Sequence, residues 1–144
     1  MNYSISYEKN PKEEDISILG KGIMEYAQQQ KSMKPIEFFA FFIRDQNGDI
    51  VGGCSGNNIY GCLFVDTLWV TNDLRHQGYG KKLMNEAEEL ARKSNCRFMA
   101  VNTFDWEGLD FYKKLGFHIE FERHGFKKDS IFYFLRKNLK KPNK

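Results

Sequence analysis

The stretch Arg75-His76-Gln77-Gly78-Tyr79-Gly80 decides the fold of this chain. It lies between an apolar run at residues 63–70, typical of a strand, and a helical pattern that begins at Lys81. A strand, a tight glycine turn and a helix start in succession direct several backbone N–H groups at one anionic ligand. Gly78 and Gly80 also permit close approach that a Cβ atom would block. The stretch predicts an anion-binding turn, with a pyrophosphate as the expected anion.

Two familiar phosphate loops do not fit this stretch. A dinucleotide fingerprint needs a third glycine where Leu83 stands. A Walker A loop needs a glycine in place of Arg75, and a serine or threonine in place of Lys82. The pattern that remains is Arg-x-x-Gly-x-Gly with Lys81 and Lys82 beside it. The alternative is an ordinary strand-to-helix turn whose glycines only cap the helix.

The rest of the chain predicts a mixture of strands and helices. Strands are expected at residues 3–8, 38–44, 50–51 and onward, 60–70, 97–103, 117–121 and 131–135. Helices are expected at residues 12–31, divided at Gly20 and Gly22, from residue 81 onward, and at residues 109–115. The unit from 63 to 103 is therefore a strand, a helix and a parallel strand.

Composition limits the classes of function. At 144 residues and 41% hydrophobic content, residues 1–144 are expected to form one domain. A net charge of +3 suits a protein that holds one polyanionic cofactor better than one that coats nucleic acid. The aromatic and basic interleaving of an RNA-binding sheet face is not evident, so no nucleic-acid partner is expected.

The three cysteines and the N-terminus indicate location. Cys54, Cys62 and Cys96 form no Cys-x-x-Cys pair, and no histidine lies at metal spacing from them, so neither disulfides nor a metal is expected. No signal-peptide pattern and no bilayer-spanning apolar run is evident. We expect a cytoplasmic protein without a membrane partner.

A second block, Phe111-Tyr112-Lys113-Lys114-Leu115-Gly116-Phe117, follows downstream. Together with Arg-x-x-Gly-x-Gly it resembles the GNAT superfamily of acetyl-CoA-dependent N-acyltransferases, over about residues 38–139. The resemblance implies an α+β fold: a twisted mixed sheet of about six or seven strands with about four helices. In that fold the fourth and fifth strands, here residues 64–70 and 98–103, splay apart around the pantetheine arm of coenzyme A.

The resemblance also implies a set of site residues. Backbone groups at the end of the fourth strand, namely those of Leu68, Trp69 and Val70, would bond the pantetheine amides. The pyrophosphate would be held at Arg75, Gln77, Gly78, Tyr79, Gly80 and Lys81. Tyr112 would stand near the thioester sulfur as general acid. The chain departs from the family pattern at Asp105 and Gly108, where many members have asparagine and alanine.

Acetyl transfer to an amine also needs a group that removes a proton, because an alkyl amine with a pKa of about 10.4 is mostly charged at neutral pH. Asp66 shares one strand face with Phe64, Leu68 and Val70 by period two, so it is the candidate base, acting through water. The alternatives are a solvated strand residue or a carboxylate that binds a cationic substrate. Trp69 and Trp106 could wall the acceptor pocket, although tryptophans more often pack in a core.

The predicted function is transfer of acetyl from acetyl-CoA to a primary amine of a small molecule, by direct attack in a ternary complex. An acyl-cysteine route through Cys54 or Cys62 is conceivable but lacks a histidine partner. A protein or peptide amine is the alternative acceptor, and a non-catalytic acyl-CoA-binding module is the alternative class. An exposed last strand at residues 131–135 would allow a homodimer.

Overall fold

The computed structural model of this chain describes residues 2–139. They fold into two compact units, one ending at Pro35 and one beginning at Ile36. The helices are α1 (Glu13–Lys31), α2 (Tyr79–Lys93) and α3 (Leu109–Lys114), with 3₁₀ turns at Asn72–Leu74 and Lys127–Asp129. The strands are β1 (Glu37–Arg44), β2 (Ile50–Ile59), β3 (Cys62–Val70), β4 (Phe98–Phe104), β5 (His118–Arg123) and β6 (Phe132–Asn138). Organisation as one domain stays a prediction.

The first unit differs from the sequence prediction in two ways. Residues 3–8 form no strand, because an alternating pattern becomes a strand only where a neighbour supplies hydrogen bonds. Helix α1 runs without interruption through Gly20 and Gly22, so the predicted division is wrong. A glycine costs about 1 kcal/mol in a helix interior, and the first turn offsets this with three carboxylates that favour the helix N-terminus.

The second unit contains a six-stranded mixed sheet in the order β1-β2-β3-β4-β6-β5. All neighbouring strands are antiparallel except β3 and β4, which are parallel and joined through α2. The predicted α+β fold class is confirmed, with six strands and three α-helices in residues 2–139. Because residues 3–8 are not a strand, the strands predicted as the fourth and fifth are the third and fourth of the structure, β3 and β4.

The parallel pair separates partway along its length. Residues 62–65 of β3 pair with residues 98–101 of β4, whereas β3 continues to Val70 without a partner on that side. Beyond Val101, β4 pairs only with β6. The predicted splay is therefore confirmed, and it begins after Val65.

Strand β6 lies in the interior of the sheet, between β4 and β5. The prediction that it is an exposed last strand is wrong, because its backbone groups already bond a strand on each side. A homodimer formed through that edge has no physical basis.

The core lies between α2 and the central strands. The apolar residues of α2 recur at helical spacing, and four of them, Leu83, Met84, Ala87 and Ala91, are buried on one face. It packs with buried residues of β3 and β4, including Leu63, Val65, Met99 and Val101. Among the helices of residues 2–139, none is long and apolar enough to cross a membrane.

Candidate functional site

The loop between β3 and α2 has the backbone of an anion site. Gly78 is the N-cap residue of α2 and adopts φ +84° and ψ 5°, a left-handed conformation that an L residue enters at a cost. The first amide of the helical ladder is that of Lys82, which donates to the Gly78 carbonyl at 3.1 Å. The amides of residues 77–81 precede this ladder, no side chain caps the helix, and no acidic residue occupies its first turn. The helix start therefore presents its N–H groups and partial positive charge to solvent.

The side chains of the loop hold it in place and add charge. Gln77 Nε2 donates to the Asp73 carbonyl at 2.5 Å, so this side chain fastens the loop to the 3₁₀ turn. Lys82 Nζ lies 4.9 Å from the centroid of the Tyr79 ring. Arg75 and Lys81 are exposed, which leaves two positive charges beside the amides.

A close contact joins the loop to the second sequence block. A Cβ atom on Gly80 would lie 3.2 Å from Cζ of Phe111, so a side chain at position 80 would press on that ring. Phe111 precedes Tyr112 on α3, and their ring centroids are 5.2 Å apart. The structure thus places the loop between β3 and α2 beside the helix that carries Tyr112, the predicted acid.

Tyr112 is buried, with 8% of its surface exposed. Its ring lies against Phe117, 5.7 Å between centroids. Burial, with smaller contributions from the nearby Cys54 thiol and Glu107 carboxylate, raises the pKa of Tyr112 to about 12. Cys54 is the cross-strand neighbour of Leu68, so the thiol near Tyr112 lies on β2 opposite the end of β3.

The two departures from the family pattern have structural roles. Asp105 accepts a hydrogen bond from the Ile131 amide (3.1 Å) and donates its own amide to the Ile131 carbonyl (2.9 Å). Its carboxylate therefore fastens the loop after β4 to the start of β6. Gly108 donates its amide to Thr103 Oγ1 at 3.0 Å, and a Cβ there would lie 3.2 Å from the Tyr112 ring. Glycine in place of alanine makes room for that ring.

The end of β3 offers backbone groups to the splay. Thr71 donates its amide to the Val51 carbonyl of β2 (2.9 Å). Because backbone groups alternate in direction along a strand, those of Leu68 and Val70 face away from β2, towards the gap. Those of Trp69 face β2, where Gly53 is its register partner. Of the three predicted pantetheine contacts, the geometry favours Leu68 and Val70.

Asp66 occupies a β-bulge. In the register of β2 with β3, Ser55 pairs with Thr67 and Gly56 with Val65, so Asp66 has no partner on β2. The bulge shifts the alternation, and Leu68 and Val70 lie on the core face with Val65. The prediction that Asp66 shares a face with Phe64, Leu68 and Val70 is therefore wrong. Asp66 is instead exposed, at the first residue after the parallel pairing ends.

The cysteines are poor nucleophiles. Burial raises the pKa of the Cys54 thiol to about 11, and Cys54 Sγ donates to the Leu83 carbonyl (3.8 Å). Burial also raises the pKa of Cys62 to about 11. At neutral pH only about one such thiol in ten thousand is a thiolate. This argues against an acyl-cysteine route.

The sheet face that carries Phe104 bears both aromatic and basic side chains. Arg123 lies over the rings of Phe121 (5.8 Å) and Phe134 (5.2 Å), and Arg136 lies 3.7 Å from the centroid of Phe98. Aromatic and basic side chains are thus interleaved there, contrary to the expectation. The aromatic residues of β6 recur with period two, and this pattern could have indicated an aromatic sheet face. Which basic side chains join them depends on the neighbouring strands, which the pattern does not show.

Comparisons with known proteins agree with this geometry. Residues 11–117 match the family model described as the acetyltransferase (GNAT) family. The chain is 32% identical over 87 residues to a blasticidin-S acetyltransferase of Streptomyces morookaense, covering 60% of this chain and 64% of the relative. It is 36% identical over 75 residues to the acetyltransferase Atu2258 of Agrobacterium fabrum, covering 52% of this chain and 55% of the relative. The matches thus span less than two thirds of either relative.

A solved structure shares the fold over nearly the whole chain. It is a crystal structure of a protein from Agrobacterium tumefaciens, provisionally named an acetyltransferase, with a TM-score of 0.84 and 24% identity. The alignment covers 96% of this chain and 100% of the other. At this identity the likeness concerns the fold.

Proposed function

Because this chain belongs to the acetyltransferase (GNAT) family, we propose that it transfers the acetyl group of acetyl-CoA to a primary amine of a small molecule. The observation that carries the proposal is the contact of Gly80 with Phe111, which joins the anion-binding loop to the helix of Tyr112. One relative is named for blasticidin S, and this supports a small-molecule acceptor.

The cofactor would lie along the splay. Amides of Gln77, Gly78, Tyr79, Gly80 and Lys81, with Arg75, would bind the pyrophosphate. Leu68 and Val70 would offer backbone groups to the pantetheine amides, much as an exposed strand edge binds an extended peptide. Trp69 would contribute through its exposed side chain, since its backbone faces β2.

The chemical step is direct attack. The neutral amine nitrogen attacks the thioester carbonyl carbon, a C–N bond forms, the C–S bond breaks, and coenzyme A leaves as a thiolate. The amine's proton passes through water to Asp66, which stands exposed where β3 and β4 begin to separate. This position, rather than a shared strand face, now supports Asp66 as the base.

Tyr112 would hydrogen-bond the departing thiolate. With its pKa near 12, transfer of its proton to a thiolate with a pKa of about 8.5 would cost about 5 kcal/mol. A hydrogen bond that stabilises the developing negative charge avoids this cost. The proton lost by the amine can then neutralise the thiolate.

The test is a thiol-release assay with acetyl-CoA and a panel of primary amines. Tyr112→Phe is expected to lower kcat about 100-fold, with acetyl-CoA affinity within twofold of wild type. The rate should rise with pH as the amine loses its proton and should not fall near pH 10, since Tyr112 keeps its proton to about pH 12.

Each alternative has its own outcome. Unchanged turnover in Tyr112→Phe would remove Tyr112 from the mechanism. Tight acetyl-CoA binding with no thiol release for any amine or peptide would indicate a non-catalytic acyl-CoA module. Reaction with peptides alone would favour a protein acceptor.

A further inference from the structure

Trp106 is exposed yet held in a fixed orientation. It lies two residues after the end of β4, and 66% of its surface is exposed. One face of the indole stacks on Phe104, with centroids 5.4 Å apart and planes within 6°. The indole N–H donates to Ser130 Oγ at 3.1 Å. The opposite face of the ring is therefore open, and the ring is not free to turn away.

The support beneath Trp106 is rigid. Phe104 also contacts Phe126, edge to face at 5.1 Å, and Phe132 at 4.7 Å. The paired hydrogen bonds of Asp105 with Ile131 join the Trp106 loop to the start of β6. Trp106 therefore presents an indole face to solvent on a support that is itself fixed by aromatic contacts and backbone hydrogen bonds.

The charges around the indole favour a cation. Trp106 lies between Asp105 and Glu107, and each carboxylate is oriented by one backbone amide: Ile131 donates to Asp105 (3.1 Å) and Phe104 to Glu107 (2.9 Å). Tryptophan is the side chain whose face attracts cations best. In residues 2–139 no lysine or arginine forms an ion pair with either carboxylate. This platform, the Trp106 ring on Phe104 with Asp105 and Glu107 beside it in sequence, thus combines an open aromatic face with two carboxylates that no lysine or arginine of residues 2–139 pairs with.

One connection after β4 carries both the platform and the proposed acid. The loop that carries Trp106 continues through Gly108, the N-cap residue of α3, to Tyr112. Gly108 touches the Tyr112 ring closely enough that a Cβ would lie 3.2 Å from it. Trp106 is thus anchored to the same short connection that positions the predicted acid.

We infer that Trp106 is an acceptor-binding residue that takes a second cationic group of the acceptor, a guanidinium or an ammonium. This inference rests on the proposed function. The reacting amine must be neutral when it attacks, so the group on Trp106 is a different one. The preferred acceptors therefore carry at least two basic groups.

The test compares n-butylamine with 1,4-diaminobutane and agmatine, which add an ammonium and a guanidinium. The wild type should show a kcat/KM at least tenfold higher for the two dications. Trp106→Leu should lower kcat/KM about tenfold for the dications and less than twofold for n-butylamine. Trp106→Phe keeps a weaker aromatic face, so its kcat/KM for the dications should fall by less than that of Trp106→Leu.

Two further variants separate binding from stability. Asp105→Asn keeps an oxygen for the Ile131 amide but removes the charge, so it should also lower the preference for dications. Phe38→Leu changes an exposed aromatic residue on β1 and should leave the preference unchanged. Melting temperature and acetyl-CoA affinity show that each variant is folded, and Trp106→Phe and Asp105→Asn decide the matter if Trp106→Leu does not fold.

The two proposals fail differently. If n-butylamine is acetylated but the dications are not preferred, only this inference is overturned. The same holds if Trp106→Leu lowers kcat/KM equally for all three amines. If the protein does not bind acetyl-CoA, or no amine in the panel reacts, the proposed function fails and the inference fails with it.

Discussion

Gly78 gives the sharpest test of the anion-binding loop. Its φ of +84° is left-handed, and no heavy atom lies within 4 Å of the position that a Cβ would take. Gly78→Ala therefore adds no clash, and its cost is conformational, about 1–2 kcal/mol for an L residue. Gly48, in the β1–β2 hairpin, has the same φ of +84° and the same open space. Gly48→Ala is thus a control that places an alanine at the same φ at a site distant in sequence.

The two variants should match in stability and differ in binding. Each should lower the melting temperature by about 3–6 °C, on the basis of about 3 °C per kcal/mol for a chain of this length. If Gly78→Ala relaxes by turning one amide away from the pyrophosphate, it loses a hydrogen bond to a charged group. Such a bond is worth about 1.5–3 kcal/mol. The expected loss of acetyl-CoA affinity is about 10- to 100-fold.

Calorimetric titration with acetyl-CoA and with coenzyme A, beside thermal unfolding without ligand, measures both effects. Gly48→Ala should bind both ligands as wild type does. Equal affinity of Gly78→Ala and wild type would refute the role of the loop amides. A loss of the same size in Gly48→Ala would show that the effect reflects general destabilisation.

Two other perturbations test features outside the loop. Although burial raises the pKa of Glu88, hydrogen bonds from Lys137 (2.6 Å) and Arg92 (2.9 Å) lower it overall, so Glu88→Gln should cost about 1 kcal/mol at pH 7. The stabilisation from a lowered carboxyl pKa exists above the ordinary value of 4.5 and is lost on acidification. Urea unfolding should show a smaller difference in unfolding free energy between wild type and Glu88→Gln at pH 3 than at pH 7. An equal difference at the two pH values would contradict a stabilising role of the Glu88 charge. Cys54→Ala should cost about 1 kcal/mol but leave kcat within about twofold, whereas a 1,000-fold loss in thiol release would revive the acyl-cysteine route.

Local features were predictable from the chain. The turn at Gly78, the buried face of α2 and the β1–β2 hairpin follow from backbone preferences and apolar spacing within a few residues. The resemblance of two short blocks implied the splay, and the family match supports it. Most residues of the candidate site lie in or beside those two blocks, residues 75–80 and 111–117.

Features that depend on distant neighbours were not predictable. Asp66 does not lie on its predicted face because a β-bulge forms between β3 and β2. The period-two pattern of a single strand cannot show where the register with its partner shifts. The position of β6 inside the sheet is likewise not evident from its sequence, because nothing in residues 131–135 shows that β5 pairs on its outer side.

The sequence alone determined the glycine turn before α2, the α2 face and the family, since each depends on residue types at short spacing. Only the tertiary structure decided that Gly80 meets Phe111, that Asp105 is used to fasten two loops, and that Trp106 stands open on Phe104. Those outcomes depend on contacts between residues far apart in the chain, whose energies no local pattern records. The cofactor proposed for this chain therefore follows from two short sequence blocks, whereas the acceptor proposed for it follows from contacts around Trp106 that form only in the fold.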